Sequence, residues 1–217
     1  MFEASLVATA SDNDHAKEGQ PMPELLTKTI SFAEYLLLPY DGKKTEFVNG
    51  QIVNMAEASP LHVLIIKLLQ TLLDRHVEEI EAELETYAGV GIEIPRTDRK
   101  NNVRDPDLVV CAHQQMRAMM HLTKAIFLEG NPPALAIEVA SPGDTTRDTV
   151  DKRMEYAWAK VPEYWIINPV DGYVLVLTLD ADTNTYREVG EYRDAELISS
   201  TLFPQLKVSA EALLAPD

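Results

Sequence analysis

The chain has 217 residues, 46% hydrophobic and 25% charged, which suits one domain with a self-sufficient core. A single cysteine, Cys111, excludes an intrachain disulfide and a cysteine-rich zinc site, and it fits a reducing cytoplasm. Nineteen Lys and Arg against 35 Asp and Glu give a net charge of −16, which repels a phosphate backbone unless the charge is segregated. It is segregated: residues 74–96 and 171–217 carry −5 and −6, while 97–129 carries +1. Nucleic acid therefore stays open as a partner. No apolar run is long enough to span a bilayer, and the N-terminus lacks a basic stretch followed by an apolar one. Neither a membrane helix nor a secretory signal is expected, and the expected location is cytoplasmic.

Residues 1–29 show no sustained period and read as a flexible tail ahead of one domain over 30–217. The run 31–38 predicts a short helix capped by Ser31 and stopped by Pro39. Asn49-Gly50, between two alternating apolar runs, predicts a hairpin of strands near 44–48 and 51–55. Ser59-Pro60 opens the longest helix, expected to run to about Leu84. Its first half, apolar on most faces until Leu73, is expected to be buried, and its acidic second half to project into water.

Three apolar runs of strand length follow, near 87–94, 107–111 and 134–140. Thr146 to Lys160 reads as an amphipathic helix. The run 164–167 reads as a strand, and Asp171-Gly172 turns into a hairpin strand at 173–177. Shorter strand-like pieces lie near 185–190 and 196–200. The order points to a mixed α/β fold, a central mixed sheet flanked by helices with extra antiparallel strands at the C-terminus.

Three acids are out of place for a core. Glu138 sits inside a run apolar on both faces, the mark of a central strand, where an unpaired carboxylate costs several kcal/mol. Asp107 follows Pro106 at the mouth of a second buried strand, and Glu46 lies mid-strand in the hairpin. Two acids at the ends of separate core strands, sharing one sheet edge, suit a hard divalent cation. Asp148, Lys152 and Tyr156 share a helix face, and Lys152 there could hold an attacking water or stabilise developing charge. His62, in the first turn of the long helix, could donate to a phosphate oxygen or a carboxylate. No glycine-rich nucleotide loop, GxSxG elbow or HExxH motif is present, and Cys111 lies in an apolar run that suits an inert thiol.

Taken together, TEFVNGQIVNM, SPLH, RDPDLVV and AIEVASPGDTTRDTVDKRMEYAWAKVPEYWIINP resemble the Uma-two family of restriction endonucleases, within the PD-(D/E)XK nuclease-like superfamily, over about 31–214. The resemblance implies a restriction-endonuclease-like core that binds Mg²⁺, with Mn²⁺ as a substitute, at one sheet edge. It implies Asp107 and Glu138 as metal ligands with Glu46 completing or flanking the site, Lys152 as the catalytic lysine, and His62 as the histidine of the SPLH element. The lysine usually two residues after the second acid is replaced by Ala140, so that role passes to Lys152. Lys160 stands at a helix end where glycine is common.

The expectation is a metal-dependent endonuclease that hydrolyses DNA phosphodiesters, and the family resemblance implies products with 5′-phosphate ends. DNA is the expected partner, and a homodimer is left open. A non-catalytic protein of nuclease fold, and a nuclease acting on RNA or small phosphodiesters, are the alternatives. An enzyme should show a neutral-to-basic collar of Arg99, Lys100, Arg104, Arg147 and Arg153 around the acids.

Overall fold

The computed structural model describes residues 29–39, 42–98, 100–141 and 148–216, with only the backbone of 148 and 149. The segment 1–28, read as a tail, lies outside the described residues, as do Arg99 and Arg147. The elements begin with α1 (Phe32–Leu37), β1 (Thr45–Val48), β2 (Gln51–Asn54) and α2 (Pro60–Glu79). Next come β3 (Leu84–Tyr87), β4 (Gly91–Ile94), β5 (Asn102–Arg104), β6 (Leu108–Ala112), α3 (His113–Met119), β7 (Ile126–Phe127) and β8 (Leu135–Val139). A π-helical turn (Asp148–Lys152) runs directly into α4 (Arg153–Trp158). The chain ends with β9 (Glu163–Asn168), β10 (Tyr173–Asp180), β11 (Thr185–Tyr192) and α5 (Ala210–Leu214).

Local chemistry explains the early elements. Ser31 and Glu34 form a reciprocal capping box on α1. Asn49 and Gly50 both take positive φ (52° and 80°), the backbone that a two-residue hairpin turn between twisted strands requires. Ser59 caps α2 by accepting from the His62 N–H, with Pro60 in the first turn.

The fold is mixed α/β, as expected, with two mixed sheets. The central one has six strands in the order β11-β10-β9-β8-β6-β3. A second has five, β2-β1-β5-β4-β7. Alternation along the central strands sends side chains to two different cores. Leu108, Val110, Ile137, Val139 and Trp165 pack with α2 and α5. Val109, Cys111, Ala136 and Ile166 face the other way, against Ile92 and Ile94 of β4 and Tyr156 of α4. Tyr35 of α1 joins Phe47, Val103 and Ile126 of the five-stranded sheet in a smaller third core.

Several boundaries differ from the sequence reading. The run 87–94 is two strands, because the chain bends at residues 88–89, where Gly89 takes φ of 71°, and passes from the central sheet (β3) to the five-stranded one (β4). Helix α2 stops at Glu79, since Leu84 is already in β3. Its first half is not wholly buried: Leu61, Val63 and Leu64 are exposed, while Ile65, Leu69, Leu73, His76 and Val77 form one buried stripe along the helix. Apolar content blurred what a period of 3.6 decides. Residues 196–200 form no strand, only an isolated bridge from Leu197 to Ser209.

One buried carboxylate ties the C-terminal segment to the sheet. Glu163 of β9 accepts from Trp165 Nε1 (2.7 Å), Ser200 Oγ (2.6 Å), the main-chain N–H groups of Thr201 (2.7 Å) and Leu202 (2.9 Å), and the Thr201 hydroxyl. Those donors lose a shared charged acceptor if the carboxylate is removed. Glu163→Ala is therefore expected to destabilise the fold by about 3 kcal/mol in urea unfolding. A loss below about 1 kcal/mol would show that water replaces the carboxylate.

Candidate functional site

Register brings the two strand-end acids together. Strands β6 and β8 run antiparallel with Leu108 opposite Ile137; Asp107, just ahead of β6, and Glu138 of β8 line one cavity, on the face of the central sheet that carries Val109 and Ala136. The Asp107 N–H donates to the Ile137 carbonyl (3.1 Å), and the Val139 N–H donates to Asp107 Oδ2 (2.8 Å). That face looks toward the five-stranded sheet, which supplies Glu46 from β1 and Arg104 from β5. Phe47 stands opposite Val103, which puts Glu46 opposite Arg104.

All five residues singled out from the sequence meet in this region, and all five are buried. Four of them, His62, Asp107, Glu138 and Lys152, line one cavity of about 470 Å³, together with Lys44 and Ser141. His62 reaches Asp107 Oδ1 through Nε2 (3.1 Å). Lys152 reaches Glu138 Oε2 (2.9 Å) and Glu46 Oε1 (3.7 Å). Glu46 is not part of the cavity wall. It is held from behind by Arg104, whose Nη1 is 2.5 Å from Glu46 Oε2.

The π-helical turn sets Lys152, and the helix after it sets Tyr156 four residues on, so both meet the same carboxylate. The Tyr156 hydroxyl donates to Glu138 Oε1 at 2.5 Å. The side chain of Asp148, placed on this face from the sequence, lies outside the described residues.

The expected basic collar is not built as read. Arg104 is buried between Glu46 and Glu155, both at 2.5 Å, and Asn102 shares Glu155. Arg153 pairs with Glu188 at the surface, and Lys100 lines a separate cavity beside Phe32 and Asn49. Arginine count could not reveal that β5 turns Arg104 inward. Besides Lys152, the cation that contacts a cavity carboxylate is Lys44, whose Nζ is 2.5 Å from Asp107 Oδ1. Sequence reasoning missed it, although a signal existed: Lys44 and Glu46 are two apart on an extended segment and so share a face. Asp105 was also missed. It lines a neighbouring cavity of about 280 Å³ with Tyr35 and Lys124, and its Oδ1 is buried with no hydrogen-bond partner among the described residues.

Electrostatics separates the carboxylates. Burial alone would raise Asp107, but hydrogen bonds and attraction from His62 and Lys44 outweigh it and hold the group well below the usual carboxylate range. Glu138 is pushed up to about 7, first by burial and then by Asp107 and Glu46, with Lys152 and Lys44 pulling the other way. Asp105 rises to about 6, chiefly through burial. Burial also lifts the Cys111 thiol to about 12, in keeping with an inert side chain.

Among the described residues no three His, Cys, Asp or Glu side chains group as a ready-made metal cage. The donor set still fits a hard cation, because ammonium groups already stand at both key carboxylates. Lys44 sits at Asp107 Oδ1, and Lys152 at Glu138 Oε2. Oxygen donors that face a cation across an open cavity are what Mg²⁺ takes.

Protonation follows with a definite sign. The folded value of Glu138, about 7, lies above its ordinary 4.5. Its contribution to stability is therefore full below about pH 4.5 and is lost as pH rises through about 7. Asp107 acts oppositely: its contribution is present above its ordinary 3.8 and is lost as pH falls through its depressed folded value. In metal-free protein, ¹³C NMR should show a carboxyl titrating near 7 that vanishes in Glu138→Gln. The variant's unfolding free energy should vary less between about pH 5 and 7, and Asp105 should leave a residual slope. A Glu138 signal titrating at its ordinary value would show that water reaches the group.

No curated protein matches the chain. The solved structure titled as a "putative nuclease belonging to DUF820" from Anabaena variabilis ATCC 29413 matches with a TM-score of 0.67 and 18% identity, covering 86% of this chain and 98% of that one. That likeness shows that the two chains share a fold. The family model Uma2, described as "Putative restriction endonuclease", matches residues 32–211, which include every residue of the cavity discussed above. The chain belongs to the Uma2 family.

Proposed function

We propose that this chain is a metal-dependent endonuclease whose centre is the Asp107–Glu138 pair. The observation that carries the reading is that two carboxylates lining one open cavity each hold an ammonium group in direct contact. Family membership and the nuclease-like fold support it. Asp107 and Glu138 would hold Mg²⁺ or Mn²⁺. A cation bound there supplies an activated water and neutralises charge on a scissile phosphate.

The chain's own residues do the rest. The Val139 N–H and His62 fix the Asp107 carboxylate in place. The Tyr156 hydroxyl and Lys152 fix Glu138 and counter its charge. Lys152, next to Glu138, orients a water or stabilises charge developing on the phosphate. Glu46 acts from behind, aligning Lys152 while Arg104 holds its other oxygen. DNA is the proposed substrate. With a surface of −16, approach depends on the local charge of the cavity rather than on a long basic track.

The test is incubation of supercoiled plasmid, single-stranded DNA and RNA with the protein and Mg²⁺ or Mn²⁺, beside the isosteric variants Asp107→Asn and Glu138→Gln. Cleavage of DNA that needs the cation, and that falls at least about a hundredfold in each variant and in Lys152→Met, is expected. Cleavage of RNA alone would move the substrate. No cleavage of any of the three would favour a non-catalytic role. Cation binding can be read without substrate. For a Kd near 1 mM, 10 mM Mg²⁺ stabilises the fold by about 1.4 kcal/mol. That should raise Tm by about 2–5 °C beyond an NaCl control of equal ionic strength, and Asp107→Asn should lose the difference.

A further inference from the structure

The cation site proposed above, on which this inference rests, already holds a positive group. Lys44 Nζ lies 2.5 Å from Asp107 Oδ1, and the same ammonium stands in the field of Glu138 and Asp105. It stands at Asp107, in the cavity that Asp107 and Glu138 line. Both oxygens of Asp107 are engaged: Oδ1 by Lys44 and His62, Oδ2 by the Val139 N–H. A cation cannot take a free lone pair at Oδ1 without crowding one of these partners.

The three partners are not equally able to leave. Val139 N is main chain in a central strand. His62 is anchored in the first turn of α2, where its own N–H is tied to Ser59 Oγ at 3.2 Å. Lys44 is different: its side chain is 36% exposed, against 11% for His62 and 6% for Lys152. Its backbone is held separately, because the Met55 N–H donates to its carbonyl at 3.1 Å. The side chain can therefore swing on its four-carbon stem while the hairpin stays in place. Lys152 has no such freedom, bridging Glu138 and Glu46 at the back of the cavity.

We propose that Lys44 is the resident counter-cation of Asp107, displaced when a divalent cation binds, and that its freed ammonium becomes the cavity's contact to the substrate phosphate. In the cation-free protein it spares Asp107 an unpaired buried charge. Once a cation takes Oδ1, like charges repel and Lys44 moves toward the open side, where a phosphodiester offers it a new partner. Cation and phosphodiester thereby favour each other's binding, because the phosphate relieves the ammonium that the cation has expelled.

The experiment uses the full chain without nucleic acid. Calorimetric titration with Mn²⁺ and with Mg²⁺ should show Lys44→Ala binding about tenfold more tightly than wild type, the scale set by losing one competing charge-assisted hydrogen bond. Lys43→Ala removes the same formal charge from the same cavity wall and should change affinity by less than about twofold. In wild type, mass-spectrometric footprinting with an amine-acylating reagent should show Lys44 several-fold more reactive at saturating Mg²⁺, with Lys152 unchanged. Unchanged or weaker binding by Lys44→Ala, or an unchanged footprint at Lys44, overturns this inference while leaving the metal-dependent reading standing. Absence of cation binding in both wild type and Lys44→Ala overturns the two together.

Discussion

Three carboxylates, Glu46, Asp107 and Glu138, are buried where the central sheet faces the five-stranded one, and the rest of the site follows from how their charge is balanced. Isolated, each would cost several kcal/mol to bury. Each instead meets a cation from a different element: Arg104 from β5 at Glu46, Lys44 from the start of the hairpin at Asp107, Lys152 from the π-helical turn at Glu138. The two sheets and α4 are thus joined by charge as well as by the apolar contacts of β4 with β6, β8 and α4. Removing any one cation would leave a buried carboxylate with its charge less balanced, held by its remaining donors alone.

The balance is uneven, and the unevenness carries chemical meaning. Asp107 receives two side-chain cation or donor partners and a main-chain N–H, and stays ionised to low pH. Glu138 is more deeply buried, has Asp107 and Glu46 as like-charged neighbours, and rises to about 7. Two acids whose environments push them apart in this way are a recurrent feature of reactive sites. A structural carboxylate of the same fold needs no such contrast: Glu163 accepts from the neutral donors of Trp165, Ser200, Thr201 and Leu202 and fastens the C-terminal segment.

The hydrophobic architecture explains why these groups sit where they do. Strands β6 and β8 alternate so that one set of side chains enters the α2 core and the other meets the β4 core. Asp107 and Glu138 continue the second set past the point where the apolar packing ends. The acids occupy the position where a strand leaves the core and the two layers open into a cavity of about 470 Å³. No described helix is long and apolar enough to cross a membrane. The apolar side chains of α2 instead divide between a buried stripe and exposed positions such as Val63.

Local signals in the chain determined a good deal. Ser31 with Glu34, Asn49-Gly50 and Ser59-Pro60 each set an element boundary through backbone chemistry that acts over a few residues, and each element starts where those residues say. Glu138 within an apolar run, and Asp107 at the head of another, were legible because a charge in a core-forming segment contradicts its surroundings. What the sequence could not decide was anything set by pairing across distant segments. Whether Glu46 faces the solvent or the interior depends on β1 lying beside β5, which turns Arg104 from a surface base into its buried partner. Lys44 as the group at Asp107 depends on a loop meeting a strand mouth 63 residues away. Charge sign and spacing are local properties of a chain. The identity of each charge's partner is a property of register and layer packing, and only the folded structure supplies it.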